Sequence, residues 1–286
     1  MIPGSFEYHR PHTVEEAVGL LTDHGEDARV VAGGHSLIPM MKLRMAVPDH
    51  LIDLQDIGDL KGVFEDGSTL VVGAMTTQTE LIGNELLASK CPIIRETSLQ
   101  IADPQVRNCG TLGGNVANGD PGNDMPALMQ ALDAIYVVQG IDGAREIVAR
   151  NFYEAAFITS LEENEIITAI RIPIPSDNHG YAYEKQKRKV GDYATAAAAV
   201  VLNMSGGKCE SAAIALTNVA STPLFATEAS NALVGTAADD AAIDTVVGLA
   251  ESITDPGNDT RGPAEFRTKV AGIMVKRAIN RAAERS

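Results

Sequence analysis

Apolar residues recur at Val14, Ala17, Val18 and Leu21, behind a T-x-x-E box of Thr13 and Glu16 and ahead of Gly25. That i, i+3, i+4, i+7 spacing predicts one amphipathic helix. A short β-type run over 29–32 stops at Gly33-Gly34, and a second over 50–54 follows a segment holding Met40, Met41, Lys42 and Arg44. The first fifty-odd residues therefore read as a β-α-β unit. From residue 60 the texture changes. Strands are expected over 60–65 and 69–74, joined by the hairpin signal Asp66-Gly67, then helices over 77–82, capped by Thr77 and Glu80, and over 93–101. Later strands are expected over 134–139, 145–149 and 166–174.

Pro173 and Pro175 end the last of these runs, and residues 176–180 concentrate Ser, Asp, Asn and Gly, which places a domain boundary there. Beyond it, strands are expected over 181–189, 195–204 and 209–217, with Ser205-Gly206-Gly207 as a turn. Three helical stretches finish the chain. The last opens at Gly262-Pro263 and carries Ala271, Met274, Val275 and Ala278 on one face.

Composition narrows the classes that this layout could serve. With 286 residues, 45% hydrophobic and 21% charged, the chain is long enough for a sizeable core and is neither disordered nor fibrous. Its net charge of −15, with 4% aromatic residues and no Trp, sets nucleic-acid binding aside. Cys91, Cys109 and Cys209 are isolated, so neither a disulfide framework nor an iron–sulfur or zinc ligand set is present, and a reducing compartment fits. No run approaches the roughly 18 apolar residues of a membrane span. A soluble cytoplasmic protein is expected, with any membrane contact made through a partner.

Standard nucleotide and hydrolase signatures are missing: no G-x-G-x-x-G, no G-x-x-x-x-G-K-[ST], no H-E-x-x-H and no G-x-S-x-G. His9 and His12 read as surface residues. Two glycine doublets stand out instead. Ala32-Gly33-Gly34-His35-Ser36 follows a strand; Thr111-Leu112-Gly113-Gly114-Asn115 precedes Gly119-Asp120-Pro121-Gly122-Asn123-Asp124. Glycines let backbone N–H groups converge on an anion, and Ser36 and Thr111 add neutral donors, so two such nests could hold a diphosphate without lysine. Asp124 could accept from a ribose.

These doublets, with Gln105-Val106-Arg107-Asn108 before the second and Tyr183-Glu184-Lys185 through Arg188 to Asp192-Tyr193, resemble the FAD-binding subunit of the molybdenum hydroxylase (xanthine oxidase-like) family along essentially the whole chain. The opening Ile2-Pro3-Gly4-Ser5-Phe6, residues 119–127 and Gly191-Asp192-Tyr193-Ala194-Thr195-Ala196 are most similar to its carbon monoxide-oxidising branch. The resemblance implies an α+β protein: a vanillyl-alcohol-oxidase (PCMH-type) FAD domain over 1–177, with lobes of about 1–54 and 55–177, and a C-terminal domain of antiparallel sheet and helices over 178–286. It implies that Ala32, Gly33, Gly34, His35, Ser36 and Leu37, with Thr111, Gly113, Gly114 and Asn115, surround the FAD pyrophosphate and its neighbours. Asp124 would lie at the adenosine side, Ile167 near the adenine, and Lys185, Asp192 and Tyr193 near the isoalloxazine. Leu112 stands where the family usually has Ile, a volume-conserving change.

The same resemblance implies an electron-transfer subunit with no metal of its own. Its partners would be a small [2Fe-2S] subunit and a large molybdenum subunit, in a dimer of heterotrimers, with a quinone or other acceptor. Carbon monoxide, aldehydes, purines and N-heterocycles are all open as substrates of the large subunit. A flavoenzyme with its own organic substrate and a non-catalytic nucleotide-binding scaffold are the other readings. Lys185, Lys187, Arg188 and Lys189 form a basic island in which alternate residues of a strand face opposite sides. Lys187 and Lys189 read as a solvated edge or subunit contact, and Met40, Met41 and Met45 as core or interface.

Overall fold

In a computed structural model describing residues 2–286, the chain forms three successive sheet-and-helix units. The first contains β1 (Glu7–His9), α1 (Val14–His24), β2 (Ala28–Val31), α2 (Leu37–Lys42) and β3 (His50–Asp53). Its strands are parallel in the order β1-β3-β2. Thr13 caps α1 by accepting from the Glu16 N–H at 3.1 Å, while Glu16 reaches back to accept from the His12 N–H at 2.7 Å. Ala17, Val18 and Leu21 then bury against Ala28, Ile52, Leu54, Ile57 and Leu60. β1 had no signal, because its three polar residues acquire strand geometry only by pairing with β3.

The second unit opens with the hairpin β4 (Val63–Asp66) and β5 (Thr69–Gly73), whose turn places Gly67 at φ +61°. Six short helices follow: α3 (Gln78–Gly83), α4 (Glu85–Lys90), α5 (Ile93–Ser98), α6 (Pro104–Cys109), α7 (Leu112–Ala117) and α8 (Asp124–Ala131). Then come β6 (Ile135–Gly140), β7 (Gly143–Val148), the two-stranded ribbon β8 (Tyr153–Ala155) and β9 (Ile158–Thr159), and β10 (Ile166–Pro173). β4, β5, β10, β6 and β7 make one antiparallel sheet in that order. The period-two reading located these strands to within about three residues. It missed α4, α6, α7 and α8. Helix α8 is buried on every side and so shows no amphipathic stripe, and α7 carries two glycines in six residues.

On the edge of this sheet Arg145 grips Glu165 through two hydrogen bonds of 2.6 and 2.7 Å, holding the carboxyl below its ordinary range. Such a pair stabilises the fold above the unfolded carboxyl pKa and loses that contribution as pH falls through the lower folded value. Arg145→Gln is expected to cost about 0.5–1 kcal/mol near neutrality. The difference from the parent should shrink in urea melts taken below about pH 4, in the range where a free glutamate titrates.

The third unit is the antiparallel sheet β11 (Gly180–Gln186), β12 (Ala196–Ser205), β13 (Lys208–Thr217) and β14 (Leu224–Phe225), followed by α9 (Thr227–Leu233), α10 (Asp240–Ser252) and α11 (Ala264–Ala283). Its sheet is buried on both faces. Ala182, Ala196, Ala198, Val200 and Leu202 face the three helices, whereas Tyr183, Ala197, Ala199 and Ala215 belong to the core of the second unit. This double burial explains the run of small apolar residues at the start of β12. No helix among the described residues is long and apolar enough to cross a membrane.

Candidate functional site

All three units meet at a cavity of about 750 Å³. The loop between β2 and α2 forms one wall. There Gly34 adopts φ +72°, a backbone conformation that favours glycine, and a Cβ on Gly33 would stand 2.2 Å from the Cys109 carbonyl oxygen. Among the described residues, the backbone N–H groups of Gly33, Gly34, His35 and Ser36 donate to no protein acceptor. They are four candidate anion donors in succession, ahead of the α2 N-terminus.

The second glycine doublet is built differently. Thr111 is the N-cap of α7 and accepts from the Gly114 N–H at 3.0 Å; the Leu112 and Gly113 N–H groups donate to Thr76 O at 2.9 Å and Ala74 O at 2.8 Å; the Asn115 N–H donates to Thr111 O at 3.1 Å. The expected second nest is thus not formed, since these N–H groups are already bonded within the protein. Its glycines are needed for chain-to-chain approach: a Cβ on Gly113 would lie 2.6 Å from the Ala74 Cβ, and one on Gly114 2.9 Å from the Thr111 hydroxyl and 3.2 Å from the Ala32 Cβ. Thr111, Gly114 and Asn115 still line the cavity, and the Asn115 amide oxygen accepts from the Met125 N–H at 3.3 Å, tying α7 to α8.

Beside this wall, at the N-terminus of α8, lies a buried charge cluster. Lys185 donates to Asp124 at 2.7 Å, and the Tyr183 hydroxyl donates to the other Asp124 oxygen at 2.5 Å. The side chains of Lys185 and Asp124 are only 1% and 6% exposed. Alternation along β11 explains the pairing, because Tyr183 and Lys185 point to the same face, toward the N-terminus of α8. Burial, then the Asp124 carboxylate, pushes the Tyr183 phenol well above its ordinary pKa, so it stays a neutral donor. Lys187, on the same face, lies 3.4 Å from the Gln100 carbonyl oxygen, and burial followed by repulsion from Lys185 lowers its ammonium pKa.

The connection between β11 and β12 supplies the remaining wall. Asp192 accepts from Arg188 at 2.9 Å, an ion pair that holds its carboxyl below the usual range, and Tyr193 is 44% exposed. Burial, then the nearby carboxylates of Asp120 and Asp124, raises the Tyr193 phenol pKa. The cavity therefore gathers Ala32, Gly33, Gly34, His35, Ser36, Leu37, Thr111, Gly114, Asn115, Asp124, Lys185, Asp192 and Tyr193. It does not gather Gly113 or Ile167. Gly113 packs beneath the wall against Ala74, and Ile167, 5% exposed, lies in the core where a bulge interrupts the β10–β6 register. Asp124 and Lys185, expected near opposite ends of a dinucleotide, are in direct contact. Ala102 at φ +40° and Phe157 at φ +61° also line the cavity; neither left-handed residue type carries a sequence signal for that conformation.

Residues 4–175 match the FAD binding domain in molybdopterin dehydrogenase, and residues 181–282 match the CO dehydrogenase flavoprotein C-terminal domain. The chain belongs to the molybdopterin dehydrogenase flavoproteins. This flavoprotein is 65% identical over 286 residues to the carbon monoxide dehydrogenase medium chain of Afipia carboxidovorans, covering 100% of this chain and 99% of that one. It is 49% identical over 282 residues to the corresponding medium chain of Hydrogenophaga pseudoflava, covering 99% and 98%. Its fold superimposes on a chain of the Cu,Mo carbon monoxide dehydrogenase crystal structure, in the cyanide-inactivated form, with a TM-score of 0.99 at 65% identity and full coverage of both chains. The flavoprotein is thus of the FAD-carrying subunit type of a molybdenum oxidoreductase.

Proposed function

We propose that the central cavity holds FAD and that this flavoprotein serves as the electron-transfer medium subunit of an aerobic carbon monoxide dehydrogenase. The observation that carries the carbon monoxide reading is the 65% identity to such a medium chain over the whole length. Fit to the cofactor rests on the cavity itself. Its volume lies within the range of small-molecule sites, and its four unpartnered N–H groups suit a diphosphate that an acidic chain must bind without spare cations.

In this reading the Gly33–Ser36 backbone holds the pyrophosphate, with the Thr111 hydroxyl and Asn115 amide beside it. Lys185 presents a cation to the isoalloxazine end, and Asp124 fixes its Nζ in place. Tyr193 and Asp192 cover that end from the β11–β12 connection, and the exposed Tyr193 is placed to limit solvent access. FAD supplies the ability to exchange single electrons with one partner and pairs with another. In such a complex the electrons would come from [2Fe-2S] clusters on a small subunit and a molybdenum centre on a large subunit, and would pass to a quinone or other acceptor. The complex is a dimer of heterotrimers, cytoplasmic or held at the membrane by its acceptor.

The test is dye reduction by the assembled complex. Carbon monoxide-dependent turnover supports the assignment, whereas turnover only with an aldehyde, a purine or an N-heterocycle reassigns the substrate. A full-length chain that is colourless and shows no FAD binding by equilibrium titration would sink the cofactor assignment. Gly114→Val probes the glycine contact separately. Its branched side chain would displace the Thr111 cap and push against Ala32, and bound FAD should fall below stoichiometric; retention of one FAD per chain would refute the placement of this wall at the pyrophosphate.

A further inference from the structure

On the first unit, away from the residues assigned above, three histidines converge although they are distant in sequence. His9 ends β1, His24 ends α1 and His50 begins β3. The parallel register pairs Glu7 with His50, and strand alternation puts Glu7 and His9 on one face of β1, the face on which α1 packs. The last residue of α1 thereby arrives beside both strands. His9 Nε2 is 3.1 Å from His50 Nδ1, and one nitrogen from each of the three rings lies within 4.8 Å of the others. His50 Nδ1 is 3.7 Å from the Glu7 carboxylate, which is 76% exposed and free to swing.

We propose that His9, His24 and His50 form a binding site for one divalent transition-metal ion of the zinc class, with Glu7 or water as the fourth ligand. Three half-buried imidazoles with one carboxylate are a ligand set that zinc accepts, and ligands 2.0–2.1 Å from such an ion stand about 3.3 Å apart in a tetrahedron, close to the His9–His50 separation. The electrostatics agree. The negative end of the α1 dipole falls at His24, and the only ion pair formed by the cluster among the described residues is with a carboxylate, so the local field favours a cation. An open surface groove that His9 shares with Glu16, Asp23 and Arg10 adjoins the cluster on one side. The His24 and His50 rings stack at 3.7 Å with 14° between their planes, so coordination requires the His24 ring to turn out of the stack.

The test is calorimetric titration of the full-length chain with zinc chloride after chelator treatment, in parallel with His24→Ala, His50→Gln and the control His12→Ala. Expected is one saturable equivalent, weakened at least about tenfold by either cluster substitution and unchanged by the control. Should His24→Ala disturb folding, the circular dichroism and thermal melt will show it, and His50→Gln, a near-isosteric change at the half-buried start of the central strand β3, carries the test. Substoichiometric or non-saturating uptake, or binding unaffected by both cluster substitutions, overturns the proposal.

Discussion

Gly33→Ala is expected to weaken FAD binding by about one to two orders of magnitude. The added methyl would stand 2.2 Å from the Cys109 carbonyl oxygen and 2.8 Å from both the Cys109 carbonyl carbon and the Gly110 Cα, all backbone atoms that cannot turn aside. The glycine loop must then lift away from the segment joining α6 to α7, and its N–H groups lose their alignment. Overpacking of this kind costs about 1–3 kcal/mol. Since about 1.4 kcal/mol is tenfold in a binding constant, FAD affinity should fall by about fivefold to somewhat over a hundredfold. Flavin absorbance of the purified chain and an FAD titration read this directly. Gly19→Ala, whose new Cβ on α1 meets nothing within 4 Å, serves as the control. A Gly33→Ala chain that binds FAD as tightly as the parent would show that the loop is not the diphosphate cradle.

Lys185→Met should produce the largest loss of stability. It leaves the Asp124 carboxylate buried with Tyr183 as its remaining side-chain partner. Breaking a buried pair from one side costs about 3–5 kcal/mol, whereas replacing both partners by apolar groups is often nearly neutral. The double variant Lys185→Met/Asp124→Leu should therefore recover part of the loss, reduced by the unmet Tyr183 hydroxyl. Urea denaturation of the four chains in the cycle gives the coupling. If the two single losses simply add, the pair is not the energetic unit that its geometry indicates.

Much of this site was legible in the sequence, for identifiable reasons. The Gly33-Gly34 loop was readable because only a strand followed by small residues leaves N–H groups free, and Gly34 does adopt the left-handed conformation. Lys185 stood out as a cation in an acidic chain. Its pairing with Asp124 did not, because contact between β11 and the N-terminus of α8 spans 61 residues and no local pattern encodes it. The second doublet misled for a related reason: its glycines answer a close approach to Ala74 and Ala32, which has the same composition as a phosphate nest. Ile167 was placed by resemblance alone, and its strand turns it inward. The histidine cluster was invisible because His9, His24 and His50 share no spacing; only the β1–β3 register and the end of α1 bring them together.

The segment after α11 ties the third unit back to the second. Arg285 donates to Glu96 at 2.8 Å, and the other Glu96 oxygen accepts from the Tyr183 N–H at 2.8 Å, two residues from Lys185. One carboxylate on α5 thus holds both the strand that carries Lys185 and the segment that follows the long last helix, although the three residues are spread over 189 positions of sequence. A change at Glu96, which itself lines no part of the cavity, would therefore be transmitted to the cavity wall through the backbone of β11.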